Sequence, residues 1–281
     1  MGPEARWKKQ ISRIKAEVKE TGDLHALKER FKDAFIDSVR KNAKKRFGVL
    51  FSGGVDSSLV AFVAKKFSHD FRCYAVGLEN SRDLEGAEKA ALLLGLRLKT
   101  RVFSLDEAKS IIEAVAAILK EPNPVQVGVG SVVYAAAGLA AGDNTKFLFS
   151  GLGAENLFAG YDYHIKAKDA NSACWKSLLG MWQQDLKRDF LISRSLGTNF
   201  FFPFLDKQVI CSAMSIPSAY KLGVFRKSFL REAACEIGLP WEIAFRKKVA
   251  AQYGSGFDRA LHKVARLGGF KYKKDYLKSL V

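Results

Sequence analysis

Three observations predict an α/β fold, with a parallel twisted sheet carrying helices on both faces, followed by a mostly helical C-terminal half. Apolar runs of strand length alternate between residues 46 and 150 with stretches whose apolar period is near 3.6. Two of the turns that lead from strand to helix, Ser52 to Ser58 and Ser150 to Glu155, are rich in glycine. From about Tyr163 onward the pattern is almost wholly helical, with a turn at Asn199-Phe-Phe-Phe-Pro203 and breaks at Pro217, Pro240 and Gly254. The expected divisions are a basic helical extension over 1–45, an α/β domain over 46–165 and a helical part with a basic tail over 166–281.

Each element follows from local chemistry. Ile11, Ile14 and Val18, then Leu24, Leu27, Phe31, Phe35, Ile36 and Val39, recur at helical spacing and predict two amphipathic helices with a break near Thr21-Gly-Asp23. Residues 46–51 form a first strand and the run from Leu59 to Ala64 lies in a helix. Residues 71–78 form a second strand. The segment Ser81 to Gly95 has a Ser cap, acids in its first turn and a glycine stop, so it is a helix. A third strand over 96–103, helices over 105–119 and 129–141, and a buried strand over 146–150 complete the series. Strands alternating with helices give a parallel sheet, and its site lies beyond the carboxyl ends of the strands near the reversal of strand order, where Ser52 and Ser150 fall.

The 281 residues are enough for a sizeable core. The longest apolar stretch, Val125 to Ala141, contains three glycines and Gln126 and falls short of the ~20 clean residues of a membrane span. With no apolar segment behind Met1, the expectation is a cytoplasmic protein without membrane association. Cys73, Cys174, Cys211 and Cys235 are far apart in or beside apolar runs, which suits buried reduced thiols, although spacing leaves a sulfur relay open. The net charge is +17, and it is concentrated at the ends: fourteen Lys/Arg face seven Asp/Glu over 1–48, and fourteen face five over 221–281. Such ends suit a polyanion such as tRNA; solvated helices and a cation-demanding phosphate pocket account for them equally well.

The sharpest chemistry is in Ser52-Gly-Gly-Val-Asp-Ser-Ser58. Gly53 and Gly54 let the backbone approach an anion, while Asp56, Ser57 and Ser58 open a helix whose free N–H groups and dipole favour negative charge. Ser52 and Ser57 add hydroxyl donors. The segment lacks the Gly-Lys-Ser/Thr of a Walker loop and the Gly-x-Gly-x-x-Gly of a dinucleotide fingerprint. It resembles the SGGxDS loop of the PP-loop ATP pyrophosphatases, whose fold is adenine nucleotide α-hydrolase-like. That resemblance implies that the loop holds the pyrophosphate end of ATP, so that a substrate attacks the α-phosphorus and is adenylated.

The second turn, Ser150-Gly-Leu-Gly-Ala-Glu155, again carries an acid at a helix start. Asp56 and Glu155 together suit Mg²⁺, which takes one or two protein oxygens and completes its shell from phosphate and water; Glu155 alone equally suits a helix N-terminus. From here to Tyr161 the chain resembles the SGxGxDELFGGY segment of the synthetase domain of asparagine and β-lactam synthetases. The resemblance continues through Asp185-Leu-Lys-Arg188, Gly197, Pro203-Phe-Leu-Asp206, Ile216-Pro217, Lys227-Ser-Phe-Leu-Arg231, Leu239-Pro240 and Arg246 to Gly256, covering about residues 46 to 257. It implies nucleotide contacts from Ser52, Gly53, Gly54, Asp56, Ser57, Ser58, Ser150, Gly151 and Gly153, and Mg²⁺ on Asp56 and Glu155. It also implies that Lys248 neutralises charge on the α-phosphate and the departing pyrophosphate, with Lys247 the neighbouring register, and gives Tyr161 a catalytic place.

Departures from the family bear on the substrate. Leu152 stands where asparagine synthetases have a glutamate, Glu155 where they have aspartate, and Asn156 where they have glutamate. Asn199-Phe-Phe201 replaces Glu-x-Arg, so the acid that pairs with the tyrosine in β-lactam synthetases is missing while Tyr161 remains. His164 suits a structural hydrogen bond. The glutaminase segment with its N-terminal cysteine is not in this sequence, so the amine is expected from solution or a separate amine-donating subunit. The family implies an AMP-forming ligase that joins a carboxylate to an amine. An enzyme adenylating a tRNA base and a non-catalytic nucleotide-binding subunit are the alternatives.

Overall fold

The computed structural model describes residues 1–20, 22–43, 46–247 and 249–281. Two helices precede the sheet. Helix α1 (Pro3–Glu17) has proline in its first turn, and α2 (Leu24–Asn42) is capped by Asp23, whose carboxylate accepts from the Ala26 N–H at 3.1 Å. Thr21, in the expected break between them, lies outside the described residues. The α/β series follows as β1 (Phe47–Leu50), α3 (Val55–Lys65), β2 (Phe71–Leu78), α4 (Arg82–Leu94), β3 (Leu98–Phe103), α5 (Leu105–Leu119), α6 (Pro124–Gly142) and β4 (Phe147–Phe149). After these come α7 (Ala154–Leu157), α8 (Asp162–Ile165), α9 (Ala170–Met181), a π-helical turn (Trp182–Leu186), α10 (Lys187–Ser195) and β5 (Asn199–Phe201). The chain ends in α11 (Lys207–Met214), α12 (Ser218–Lys221), α13 (Ser228–Ile237), α14 (Trp241–Ala244), α15 (Ala251–Gly254), α16 (Phe257–Leu267) and α17 (Lys273–Lys278).

The five strands are ordered β3-β2-β1-β4-β5, and every neighbouring pair is parallel. From β1 the chain adds β2 and β3 on one side, then crosses over to add β4 and β5 on the other. The order therefore reverses between β1 and β4, the position at which open α/β sheets bind ligands beyond the strand ends. Alternation along the strands feeds two cores. Phe47, Val49 and Cys73 pack with α1, α2 and α3, whereas Val76 and Leu78 pack with α5, α6 and α16. All four cysteines are free thiols, and burial pushes those of Cys73 and Cys174 up, away from the thiolate form.

Two expected boundaries move. Asn199 to Phe201 is an edge strand rather than a turn: the Asn199 N–H donates to Lys146 O at 2.7 Å, and the Phe201 ring lies 5.9 Å from both Phe147 and Phe149. Three residues before a proline give too short a period to read, and cross-strand aromatic packing decides the outcome. Helix α6 begins at Pro124 rather than at 129 because the Asn123 side chain accepts from Val125 N and Gln126 N. Its glycines do not interrupt it. A Cβ on Gly130 would lie 2.9 Å from Val115 Cγ1, so glycine there allows α5 to approach. This helix is long and apolar enough by composition to cross a membrane; here it packs against α5, α10, α16 and β2.

One buried charge strains the helical half. Lys221, at the end of α12, is fully buried, and among the described residues its ammonium finds only the Met214 sulfur, at 3.4 Å. Burial pulls its pKa down to about 8 from 10.5, against the opposing pull of Cys174, Glu20 and Asp169. The unfolded chain therefore holds this proton between those values while the folded chain does not, so stability rises as pH increases from about 8 to 10.5. Lys221→Met should raise the unfolding free energy at pH 7 by roughly 2–3 kcal/mol, with the gain fading near pH 10. Urea denaturation of both proteins at the two pH values checks this; equal gains at both would remove the buried charge as the cause.

Candidate active site

At the reversal of strand order two turns touch. The first leaves β1 at Phe51 and enters α3 through Gly54, its N-cap, which offers no side chain to the first-turn N–H groups. Gly53 sits at φ +63°, and a Cβ there would lie 2.2 Å from the Gly86 carbonyl oxygen. Ser57 Oγ accepts from the Ser52 N–H at 3.2 Å, lies 3.1 Å from Ser52 Oγ and donates to Gly54 O at 3.3 Å. Ser58 is fully buried, and its hydroxyl has no hydrogen-bond partner. Glycine conformation, N–H groups without a side-chain cap and clustered hydroxyls are the features that suit an anion.

The second turn leaves β4 beside it. Ser150 Oγ accepts from the Leu152 N–H at 3.2 Å, and Gly153 holds φ +105° ahead of α7. A Cβ on Gly151 would meet Asp56 Cβ and the Ser57 backbone N at 2.9 Å, so the two turns stand as close as backbones can. Glu155, in the first turn of α7, folds back over Gly160, where any Cβ would strike its carboxylate at 1.6 Å.

A lysine from the helical half joins the turns. Lys227 Nζ donates to both carboxylate oxygens of Asp56, at 2.8 and 2.9 Å, and to Glu155 Oε1 at 2.7 Å. It is buried, at φ +59° just before α13. Burial alone would lower its pKa, but Asp56 and Glu155 outweigh that cost and the net shift is upward. Arg246 fastens the first turn from the far end of the chain, donating through Nε to Gly53 O at 3.0 Å and through Nη2 to Ser52 O at 2.9 Å. Lys227 and Arg246 were legible only as members of blocks that follow the family order, Lys227-Ser-Phe-Leu-Arg231 and Arg246-Lys-Lys, without a stated role. Lys248, the lysine to which the resemblance gave one, lies outside the described residues.

Tyr161 stands at the start of α8, its ring 5.3 Å from that of Tyr163. Burial pushes its phenol up, and the negative charges of Asp185 and Glu155 push it further. Asp185 belongs to the π-helical turn and is held by Arg188 at 3.3 Å, which also donates to Asp189 at 2.8 Å. Asn199 is exposed on β5 and Phe201 packs into the aromatic face. His164 is buried, with Nε2 unpartnered and its pKa lowered to about 4 by burial. Its Nδ1 accepts from the Tyr161 N–H at 3.4 Å, a local structural bond.

The donors at hand suit Mg²⁺ and ATP. Two hard carboxylates from adjacent strand ends already share one cation, which is the donor set that a magnesium bound partly through phosphate takes. Among the described residues no cluster of three or more His, Cys, Asp and Glu could hold a metal by itself.

A family model described as asparagine synthase matches residues 30–199 and 166–267. A Methanocaldococcus jannaschii protein, provisionally described as glutamine-hydrolyzing asparagine synthetase 1, is 33% identical over 90% of this chain and 55% of its own. The glutamine-hydrolyzing asparagine synthetase of Gallus gallus is 30% identical over 83% and 44%, and asparagine synthetase B of Escherichia coli K12 28% over 82% and 45%. The chain spans about half the length of these curated relatives. The NH3-dependent NAD synthetase from Campylobacter jejuni covers 92% of this chain and 93% of its own at 18% identity, with a TM-score of 0.42.

Removing the shared cation tests the site. Lys227→Met should cost about 2–4 kcal/mol of stability, because two carboxylates lose a buried partner. Millimolar Mg²⁺ should then raise the melting temperature of the variant more than that of the wild type, because the ammonium no longer competes. A variant indifferent to Mg²⁺ would remove Asp56 and Glu155 as metal ligands.

Proposed function

The chain belongs to the asparagine synthase family, and on that premise we propose that it is an ATP-dependent, AMP-forming ligase that adenylates a carboxylate and passes the acyl group to an amine. The observation that carries the reading is the convergence of Asp56 and Glu155 on Lys227, from two glycine-rich turns at the strand-order switch point. The pyrophosphate end of ATP suits the cradle of Ser52, Gly53, Gly54, Ser57 and Ser58, with Ser150, Gly151 and Gly153 on the other side of the nucleotide. A carboxylate oxygen of the acceptor attacks the α-phosphorus, the bond from that phosphorus to the bridging oxygen breaks, and pyrophosphate leaves with the electron pair. The amine nitrogen then attacks the acyl carbon, loses a proton, and AMP departs.

Charge decides what these residues contribute. Mg²⁺, when bound by Asp56 and Glu155, supplies Lewis-acid stabilisation of the phosphates. Lys227 supplies a fixed cation in a dry site, where one such group is worth about 10²–10³ in rate, and Lys248 is the second candidate. Tyr161, whose phenol is pushed up by burial and by Asp185 and Glu155, keeps its proton at neutral pH and acts as a hydrogen-bond donor. Leu152 and Asn199 remove the two acids that relatives place nearby, which points the acceptor away from aspartate with ammonia.

Pyrophosphate release from ATP and Mg²⁺ tests the proposal, assayed with aspartate plus ammonia, a panel of other carboxylates with amines, and bulk tRNA. Release should depend on a small carboxylate and fall at least 100-fold in Asp56→Ala and in Lys227→Ala. Release with tRNA alone would replace the carboxylate by an RNA base. ATP binding without release under any condition would leave a nucleotide-binding subunit.

A further inference from the structure

The basic surplus is distributed differently over the two faces of the folded sheet. On the side of α1 and α2, Lys8 is tied to Glu4, Lys28 to Glu232 and Glu236, Lys32 to Glu29 and Glu236, and Arg40 to Asp37, while among the described residues Arg6, Lys9, Arg13, Lys15, Lys19 and Arg30 have no ion-pair partner and stand without an exposed aromatic-cation pair beside them. On the other side, α16 turns Phe257, Ala260, Leu261, Val264 and Ala265 into the core shared with α5 and α6. At spacings of three and four, its outer face presents Arg259, His262, Lys263 and Arg266, all exposed. The surface continues past Gly269 to Lys271, Tyr272 and Lys274, also exposed. Among the described residues Lys263, Arg266, Lys271 and Lys274 have no ion-pair partner, while Lys273 is paired with Asp258 at 2.6 Å and Lys278 with Asp275 at 3.8 Å.

Two further features give this surface direction and chemistry. Arg259 Nη2 donates to Glu79 O at 3.2 Å, immediately after β2, so the cationic strip starts at the carboxyl rim of the sheet, next to the strand whose loop suits an anion. At its far end the Tyr272 ring is 59% exposed, with Lys271 Nζ 5.4 Å from its centroid. An aromatic face beside an unneutralised cation can stack an unpaired base while neighbouring cations take phosphates. A membrane fits less well, because the apolar face of α16 is already in the core and has nothing to insert.

We propose that the α16–α17 surface binds RNA, with Lys263, Arg266, Lys271 and Lys274 on phosphates and Tyr272 against an unstacked base. The inference stands apart from the ligase reading, since it concerns binding in the absence of ATP.

Fluorescence anisotropy with bulk tRNA, a single-stranded DNA oligonucleotide and anionic phospholipid vesicles tests it on the full chain. The triple variant Lys263→Glu, Arg266→Glu, Lys271→Glu should lose at least tenfold in tRNA affinity, and its log–log salt slope should become shallower by about two. Lys9→Glu, Arg13→Glu, Lys15→Glu, with the same change in net charge on α1 across the sheet, should stay within about twofold of wild type. Tyr272→Ala, an exposed site that keeps the fold even where the triple reversal does not, should lose about tenfold with little change of slope. Equal loss in the two triple variants, no tRNA binding by the wild type, or binding of DNA or vesicles as tight as that of tRNA would overturn the proposal.

Discussion

The site depends on the reversal of strand order between β1 and β4. Those neighbours send their chains to opposite sides, and their two glycine-rich turns pass within contact of each other. Gly151 enforces the closeness: its missing Cβ is the space that Asp56 and Ser57 occupy. That contact places Asp56 and Glu155, about a hundred residues apart in the chain, on one ammonium. A side chain at 151 would separate the loops, and the carboxylates would no longer share a cation.

The helical half supplies what the α/β half cannot. The carbonyls of the first turn need donors that the turn itself does not supply. Arg246 satisfies two of them, at Ser52 and Gly53, and its own guanidinium lies against Gly86, where a Cβ would come within 2.4 Å. Lys227 sits at left-handed φ, a conformation that costs a non-glycine residue about 1 kcal/mol or more. The compensation is the twofold ion pair, and the backbone of α13 is anchored from the same stretch by Arg231, which donates to Arg226 O at 2.7 Å and to Ala244 O.

Much of this was legible in the sequence where one physical signal dominates. The β1–turn–α3 and β4–turn–α7 units show in the switch from apolar run to glycine and hydroxyl to helical period, and the two glycine-rich turns do fall at the reversal of strand order. Short or long-range effects were not legible. Asn199–Phe201 is a strand because Phe201 packs on Phe147 and Phe149, which no window of a few residues reports. Lys227 looks like one more cation in a chain rich in them; its role exists only because two acids from other turns arrive beside it. The charge of Asp185, in the π-helical turn, bears on the Tyr161 phenol from another element, which no local window reports either.

The departures from the family fit together once they are placed. Phe201 extends the aromatic face of β4 and β5 and so supports the edge strand. Asn199, beside it, is exposed and carries no charge. Leu152 packs against the core instead of presenting an acid. Charged side chains thus gather where the two turns meet, at Asp56, Glu155 and Lys227, while Leu152, Asn199 and Phe201 are apolar or neutral. On the ligase reading proposed above, the charged set would serve the nucleotide, and the neutral set is where specificity for the second substrate would be decided.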